Sequence, residues 1–257
     1  MSFAWAPVEL FVFFGLIAVS LRVGWWAGRR RLNRLGAGAN EGLGPSDAAV
    51  FGMMGLLLAF TFTGSASRFD HRRDLIVDET NAIGTAWLRL DLLQEAPREQ
   101  ARDLFRNYLD ARLATYHDVA NPVTTAQALE RAAAFQKQIW DLLVKEARED
   151  KSMPLAQTVL PPVNEMFDIA STRILATQQH PPRAIYLMLA MLVLVSAFLA
   201  GFSQASSTRQ SLLHVIGFAA VTSIAIYLII DMEFPRRGLI RVDSFDKALY
   251  DLRASMQ

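Results

Sequence analysis

The sequence predicts an all-α integral membrane protein, with four transmembrane helices in two hairpins and a helical extramembrane insert between the hairpins. Two observations predict this fold class. Of the 257 residues, 52% are hydrophobic, and they gather into four long apolar runs. Each run has the roughly 20 mostly apolar residues that a helix needs to cross about 30 Å of hydrocarbon. The polar stretch between the second and third runs shows no convincing strand-like alternation and reads as helical throughout.

Four segments are predicted to span the membrane: Val8 to about Gly28, Ala48 to about Ser67, Ala184 to about Phe202, and Leu212 to Ile230. The first has no basic stretch before it and no small-residue cleavage motif, so we interpret it as a retained helix and not as a signal peptide. The resulting divisions are a first hairpin (1–67), an extramembrane insert (68–183), a second hairpin (184–231) and a C-terminal tail (232–257).

The connections and the insert follow from the positions of proline, glycine and threonine. The first hairpin loop, RRRLNRLGAGANEGLGPSD, is predicted to be irregular. In the insert, Pro97 fits the first turn of a helix, and Thr124 or Thr125 can cap the next one. A third insert helix is predicted to start only after Pro161-Pro162, since proline disrupts a helix interior.

The second span is predicted to continue into the insert without a break. The stretch SASRFDHRRDLIVDETNAIG directly follows the apolar GMMGLLLAFTFTG, and no glycine or proline separates Ser65 from the first charges. A turn would ordinarily end such a segment. Its absence predicts one long helix that leaves the lipid and enters water.

An apolar seam runs along this helix with a seven-residue period, at Phe62, Phe69, Ile76, Ile83 and Leu90. A seam of this period predicts packing against other helices over its whole length. The spacing alone leaves two interpretations open, which are packing inside one chain and a contact between subunits.

A second stripe on the helix is polar, with hydroxyl groups at its membrane end and charges at its aqueous end. Its members lie three, four or seven residues apart and so share a face: Thr61, Ser65, Arg68, Arg72 and Glu79. The stripe indicates either a solvated, salt-bridged surface or the polar lining of a pore or vestibule.

Charges of both signs crowd the ends of the second and fourth spans. Because an unpaired charge is expensive at the membrane edge, we expect these groups to pair. The candidates for this charge network are Arg68, Asp70, Arg72, Arg73, Asp78, Glu79, Asp231, Glu233, Arg236 and Arg237. Asp231 and Glu233 are interpreted either as an anchor at the membrane edge or as a docking site for the arginines of the second helix.

Nothing in the sequence indicates an enzyme, a cofactor or a metal site. The four histidines do not have metal-ligand spacing, and no nucleophile-elbow, Walker or dinucleotide motif occurs. Cysteine is absent, which excludes disulfides and thiolate ligands. A formal net charge of +1 gives no indication of nucleic-acid binding.

Two stretches carry a family resemblance. The segment FTFTGSASRFDHRRDLIVDETNAIGTAWLRLDLL, followed by PREQARDLFRNYLDARL, resembles the bestrophin-like family of bacterial membrane proteins. The tail YLIIDMEFPRRGLIRVDS is similar to the closing motif of that family, in which an acidic pair leads into a proline and a glycine. With the two-hairpin layout, the resemblance spans nearly the whole chain.

The resemblance implies a distant relation to bestrophins, which are oligomeric, mainly anion-conducting channels whose second helix lines the pore. The corresponding candidates for the pore and its constriction are Leu58, Thr61, Phe62, Ser65 and Phe69. The sequence departs from bestrophins in one stretch: it has GLGPSDAAV where they carry Gly-Asn-Pro-Pro.

The predicted location is the bacterial inner membrane, where the chain would be a multi-pass homo-oligomer in the lipid bilayer. Four spans place both termini and the insert on the same side. The resemblance implies that this side is the cytoplasm, and arginines near the insert ends of the spans agree with it. Arginines 29, 30, 31 and 34 of the first loop favour the opposite orientation.

Two classes of function remain. The first is an oligomeric ion channel with its pore built around the second span. The second is a non-conducting sensor or scaffold whose helical insert binds a ligand or a partner protein, because the insert is nearly half of the chain. A transporter built from inverted repeats is not favoured, since no span is visibly broken and the hairpins do not resemble each other.

Overall fold

The computed structural model describes residues 6–36, 44–117, 121–149, 153–206, 210–236 and 238–256, and these contain helices and no strand. The all-α class is therefore confirmed. The α-helices are α1 (Ala6–Leu35), α2 (Gly44–Arg89), α3 (Glu95–His117), α4 (Pro122–Glu149), α5 (Met153–Ala176), α6 (Arg183–Ser203), α7 (Leu212–Glu233) and α8 (Asp243–Ser255). Short 3-10 turns follow α2 (Leu90–Leu92) and α6 (Gln204–Ser206).

Four of these helices, α1, α2, α6 and α7, are long and apolar enough to cross a membrane. The predicted number of spans is confirmed within the described residues. The second span and the start of the insert form one helix, α2, which has 46 residues. A continuous helix is what the absence of a turn after Ser65 predicts.

The prediction for the first hairpin loop was wrong at its start. Residues 29–35 belong to α1, because glycine and proline, which would break the helix, are missing until Gly36. Gly36 ends the helix with a φ of +84°, and its N–H donates to the carbonyl of Leu32 at 2.9 Å. A glycine with positive φ is a common helix terminator. Residues 37–43 of the loop lie outside the described residues. The prediction was also wrong at the end of the loop, because residues 44–47 already belong to α2.

The chain divides into two compact units. We call Met1–Phe69 with His180–Ile240 the membrane unit, and Asp70–Gln179 with Arg241–Gln257 the extramembrane unit. The helix α2 contributes residues to both.

In the membrane unit, α1 packs against α6 and α7 around an apolar core that includes Ile17, Leu21, Val193, Ala197 and Ala219. The contact between α1 and α6 brings their backbones together.

Glycine makes this close approach between the two helices possible. A Cβ atom on Gly201 of α6 would overlap the carbonyl oxygen of Leu21, and one on Gly24 of α1 would overlap that of Phe198. Between membrane helices, small residues allow such contacts and the dispersion energy that they bring. The hydroxyl of Ser20 adds a hydrogen bond to the carbonyl of Leu194 at 2.7 Å.

In the extramembrane unit, the core lies between α2, α3, α4, α5 and α8. It includes the fully buried Ile83, Phe105, Ile139, Met166 and Leu249. The seam residues Ile76, Ile83 and Leu90 are all buried here, so this part of the seam is packing within the chain. Phe62, in contrast, is 44% exposed.

Two predictions for the insert helices need correction, whereas Pro97 does lie in the first turn of α3. The cap of α4 is not Thr124 or Thr125 but Asn121, whose side-chain oxygen accepts from the N–H of Val123 at 3.1 Å. Asparagine is among the best N-cap residues, and Pro122 then takes the first helical position, which proline favours.

The helix α5 begins at Met153 and continues through Pro161 and Pro162, against the prediction that it starts after them. Since Pro162 has no N–H, it cannot donate to the carbonyl of Thr158 one turn earlier. Arg89 replaces the missing donor: its Nη1 atom lies 3.1 Å from that carbonyl oxygen. A side chain from another helix therefore repairs part of the hydrogen-bonding defect.

The glycine contact gives a first prediction. We expect Gly201→Val to lower the free energy of unfolding by about 3 kcal/mol, the upper part of the range for an overfilled interior, because the added carbons have no space. Gly217→Val is the matched control, since nothing lies within 4 Å of a Cβ atom at Gly217 on α7. The measurement is the midpoint of thermal unfolding of both variants in mild detergent. Equal midpoints would contradict the backbone contact.

Candidate functional site

The membrane unit contains a buried carboxylate, Glu233, at the last residue of α7. Its side chain has no exposed surface. Ser65 donates its hydroxyl to Oε1 at 2.8 Å, and Arg68 donates to the same oxygen from Nε at 2.8 Å and also from Nη2. His180, which precedes α6, places Nδ1 3.2 Å from Oε2. We call Ser65, Arg68, His180 and Glu233 the Glu233 centre.

The side chains of Arg68 and His180 reach the surface, although the Glu233 carboxylate does not. The side chains of Arg68 and His180 are 29% and 31% exposed. The charges of Arg68 and Glu233 balance.

Asp231 has a different role from Glu233, although the two lie one turn apart or less. Its buried carboxylate accepts from the hydroxyl of Tyr227 at 3.0 Å and from the backbone N–H of Ile240 at 2.7 Å. The N–H of Leu239 donates to both of its oxygens. A Cβ atom on Gly238 would overlap this carboxylate, so the turn requires glycine. Asp231 thus fastens the chain that leaves the last span.

The extramembrane unit contains a second buried carboxylate, Glu79 of α2. Arg112 of α3 donates from Nε to Oε1, and Arg173 of α5 donates from Nη1 to Oε2, both at 2.6 Å. Arg173 also donates to Asp246 of α8 at 2.8 Å. We call these four residues and Tyr116 the Glu79 centre.

Tyr116 completes the Glu79 centre with two kinds of contact. Its hydroxyl accepts from Nη2 of Arg112 at 2.6 Å, and the Arg173 guanidinium lies 3.8 Å from its ring centroid. Burial by itself would lower the pKa of Arg112, but Tyr116 and Glu79 outweigh it, so that the pKa is raised above its usual value. Both arginines therefore remain charged, and the centre joins four helices by directional bonds.

The predicted charge network does not form one cluster. Arg68 and Glu233 meet in the membrane unit, whereas Glu79 binds arginines that the network did not include. Arg72 is buried and donates to the carbonyls of Ala176 and Gln179, at the end of α5. There it meets the negative end of the helix dipole.

The remaining members of the predicted network lie near the surface. Arg73 pairs with Asp70 at 3.1 Å and also stacks on the ring of Phe245 at 4.6 Å. Asp78 is exposed, and Arg236 is half-buried. Arg237 lies outside the described residues.

The pore candidates of α2 occupy different faces. Ser65 is fully buried, and Thr61 donates to the carbonyl of Leu57 in its own helix at 2.7 Å. Leu58 packs partly against the core of the membrane unit, and Phe69 is half-buried. Phe62 is the one candidate among the five with an exposed side chain in the described structure.

Sequence reasoning missed Arg112, Tyr116, Arg173, His180 and Asp246. Arg112 and Arg173 lie 33 and 94 residues from Glu79, and no local spacing joins them to it. His180 has one weak local signal, its position directly before the Pro181-Pro182 pair that leads into α6.

The Glu79 centre gives a second prediction. We expect Glu79→Gln to destabilise the protein by about 3–5 kcal/mol, because two buried arginines would lose their shared anion. The matched control is Glu99→Gln, which removes an exposed carboxylate beside Arg102 and should cost at most about 1 kcal/mol. Thermal unfolding of both variants in detergent measures the difference. A similar small loss in both would show that the buried carboxylate is dispensable.

The Glu233 centre gives a third prediction. Arg68→Met leaves a buried carboxylate without its guanidinium and should cost about 3 kcal/mol. The double variant Arg68→Met/Glu233→Met removes both charges and should recover most of this loss, since an apolar pair of similar volume is often neutral. The measurement is a double-mutant cycle on unfolding midpoints. Additive losses would mean that the two side chains do not interact.

Comparison with known proteins identifies the family to which this chain belongs. The two hairpins, with a second span that continues into a helical extramembrane unit, define a class of multi-pass α-helical membrane protein. The sequence matches the family model of the bestrophin-like domain over residues 11–244, so the chain belongs to the bestrophin-like family. No protein of curated function matches it.

One solved structure has a similar fold. The fold is similar to the crystal structure of a membrane protein, with a TM-score of 0.60 and 14% sequence identity. The similarity covers 98% of this chain and 100% of the other. At this identity the likeness shows the fold alone.

Proposed function

We propose that this protein is an oligomeric bestrophin-like ion channel in which α2 of each copy lines a shared pore. The observation that carries the proposal is how little of α2 the chain covers. Of its most apolar 18-residue stretch, 6% is buried, against 28% in α6 and 33% in α7. A span that its own chain leaves so open faces lipid or other copies of the chain. Family membership supports the second arrangement.

The pore face proposed here rests on Phe62. A side chain that its own chain fully covers cannot also face a pore between chains, so Ser65 leaves the set of pore-lining candidates. Phe62 has the bulk that a hydrophobic constriction needs in order to exclude water around a symmetry axis. Leu58 and Phe69 flank it on neighbouring turns and are partly covered.

Two observations bear on the charge of the permeant ion, and they favour opposite signs. The family resemblance suggests anions. The exposed carboxylates of Asp70, Asp74 and Asp78 on the same helix favour cations, since rings of acidic side chains attract them. The assay therefore needs a chloride gradient and a potassium gradient in separate trials.

The fourth prediction tests the pore directly. We expect purified protein in liposomes to conduct ions, and Phe62→Ala to change the flux severalfold because a wider constriction holds water more easily. Phe60→Ala is the matched control: Phe60 is 67% exposed, and two residues turn a helix by about 200°, so it lies on the opposite side. The molecular mass of the complex in detergent, from light scattering, gives the number of copies.

Each outcome of this assay is informative. A response to Phe62→Ala alone supports the proposed face, and a response to Phe60→Ala alone would move the pore to the other side of α2. A monodisperse monomer, or a flux that neither substitution changes, would contradict a pore built around α2.

A second candidate is a non-conducting sensor or scaffold. It is favoured by an open groove on the surface of α4, lined by Trp140, Val144, Lys145 and Arg148 among others. Such a groove offers apolar and charged groups to a ligand or a partner protein. A stoichiometric partner that co-purifies with the protein, under conditions in which folded oligomers show no flux, would favour this function.

A further inference from the structure

The last turns of α1 combine arginines and tryptophans on a surface that faces away from the core. Trp25 and Trp26 end the apolar segment, and Arg29, Arg30, Arg31 and Arg34 follow within two turns. An open groove at this end is lined by Trp26, Ala27, Arg30, Arg31, Arg34 and Leu35. These residues form three adjacent pairs, each four positions after the one before, so they share one face of the helix. Trp26 and Leu35 on this face are 50% and 69% exposed.

Neighbouring aromatic rings hold two of these arginines in place. The Arg30 guanidinium lies 3.6 Å from the Trp26 ring centroid, and that of Arg31 lies 5.9 Å from the ring of Phe202 on α6. Arg29, beside the groove, donates to the carbonyl of Ala205 at 3.3 Å. Through Arg29 and Arg31 the groove contacts the end of α6 and the turn that follows it.

Three of the arginines at this end of α1 make no ion pair with another described residue. In the part of the chain that the structure describes, no ion pair involves Arg30, Arg31 or Arg34. Three guanidinium groups therefore share one face at the end of a membrane span. Exposed cations at this depth favour an anion beside them.

We propose that this groove, the Arg30–Arg34 groove, binds the headgroup of an anionic phospholipid. Guanidinium groups bind phosphate oxygens in a bidentate way that suits their planar shape. Trp26, Ala27 and Leu35 supply apolar surface next to the cations, which matches a ligand that carries hydrocarbon beside its phosphate. Tryptophan is also enriched at the level of the lipid headgroups. A free phosphate would use the arginines alone and leave the apolar half of the groove without a partner.

The experiment measures lipid binding by the whole protein with native mass spectrometry. Phosphatidylglycerol and phosphatidylcholine are titrated separately, and inorganic phosphate is added as a competitor. The test variant is Arg30→Gln/Arg31→Gln/Arg34→Gln. The matched control, Arg131→Gln/Lys137→Gln/Lys247→Gln, removes three charges from exposed positions on α4 and α8 that lie in no proposed binding site.

We expect wild type and control to bind phosphatidylglycerol more tightly than phosphatidylcholine. The test variant should bind phosphatidylglycerol on the order of 100-fold more weakly, since each arginine near an anionic headgroup contributes about a factor of five. Equal binding by wild type and test variant would overturn the proposal, as would equal affinity for the two lipids. Full displacement by inorganic phosphate would show a phosphate site and not a lipid site.

A single substitution covers the case in which the triple variant does not fold. Arg34→Glu changes a side chain for which no contact within the described residues is recorded, so its folding should be unaffected. It should weaken phosphatidylglycerol binding more than Arg34→Gln does. Unchanged binding in a folded Arg34→Glu variant would also count against the groove.

Discussion

The extramembrane unit depends on one buried carboxylate. Glu79 accepts from arginines on α3 and α5, and one of these arginines also binds Asp246 on α8. Two buried cations and two buried anions balance, which is the condition for burying any of them, because an unpaired charge in a protein interior costs several kcal/mol. Apolar contacts tolerate small shifts of one helix along another. Ionic hydrogen bonds of 2.6–2.8 Å do not, so the Glu79 centre fixes the positions of the four helices along one another.

In the membrane unit, different interactions fix the positions of the helices. In lipid the hydrophobic effect does not drive helices together, and close fit has to replace it. Gly24 and Gly201 let α1 and α6 touch through their backbones, while the Glu233 centre places polar side chains where the last span ends. A short carboxylate-bound turn at Asp231 then directs the chain out of the membrane unit. Close packing therefore positions α1 against α6, and polar hydrogen bonds position the end of α7.

The spans and the helical class were predictable because length and the absence of charge are local properties of a sequence. The continuity of α2 was predictable for the same reason. Partners across helices were not: the hydroxyl of Ser65 looked like a pore lining by its spacing, yet the rotation of α2 turns it towards Glu233. The cap at Asn121 was overlooked because threonines three and four residues later carry the same kind of signal. Of the predicted charge network, the pairing of Arg68 with Glu233 follows from the need to neutralise charge, but the partners of Glu79 lie too far along the chain for any local rule.

The repaired helix α5 has a consequence for how the sequence can change over time. As long as residue 162 is proline, the carbonyl of Thr158 relies on Arg89 for its hydrogen bond. Replacing Arg89 is therefore expected to destabilise α5 while residue 162 is proline. It is expected to destabilise α5 much less when residue 162 is an amino acid with a backbone N–H. Residues 89 and 162, 73 positions apart, are therefore expected to be substituted in a fixed order, with the proline replaced before the arginine. Which substitutions α5 tolerates, and in which order, therefore depends on a residue of α2.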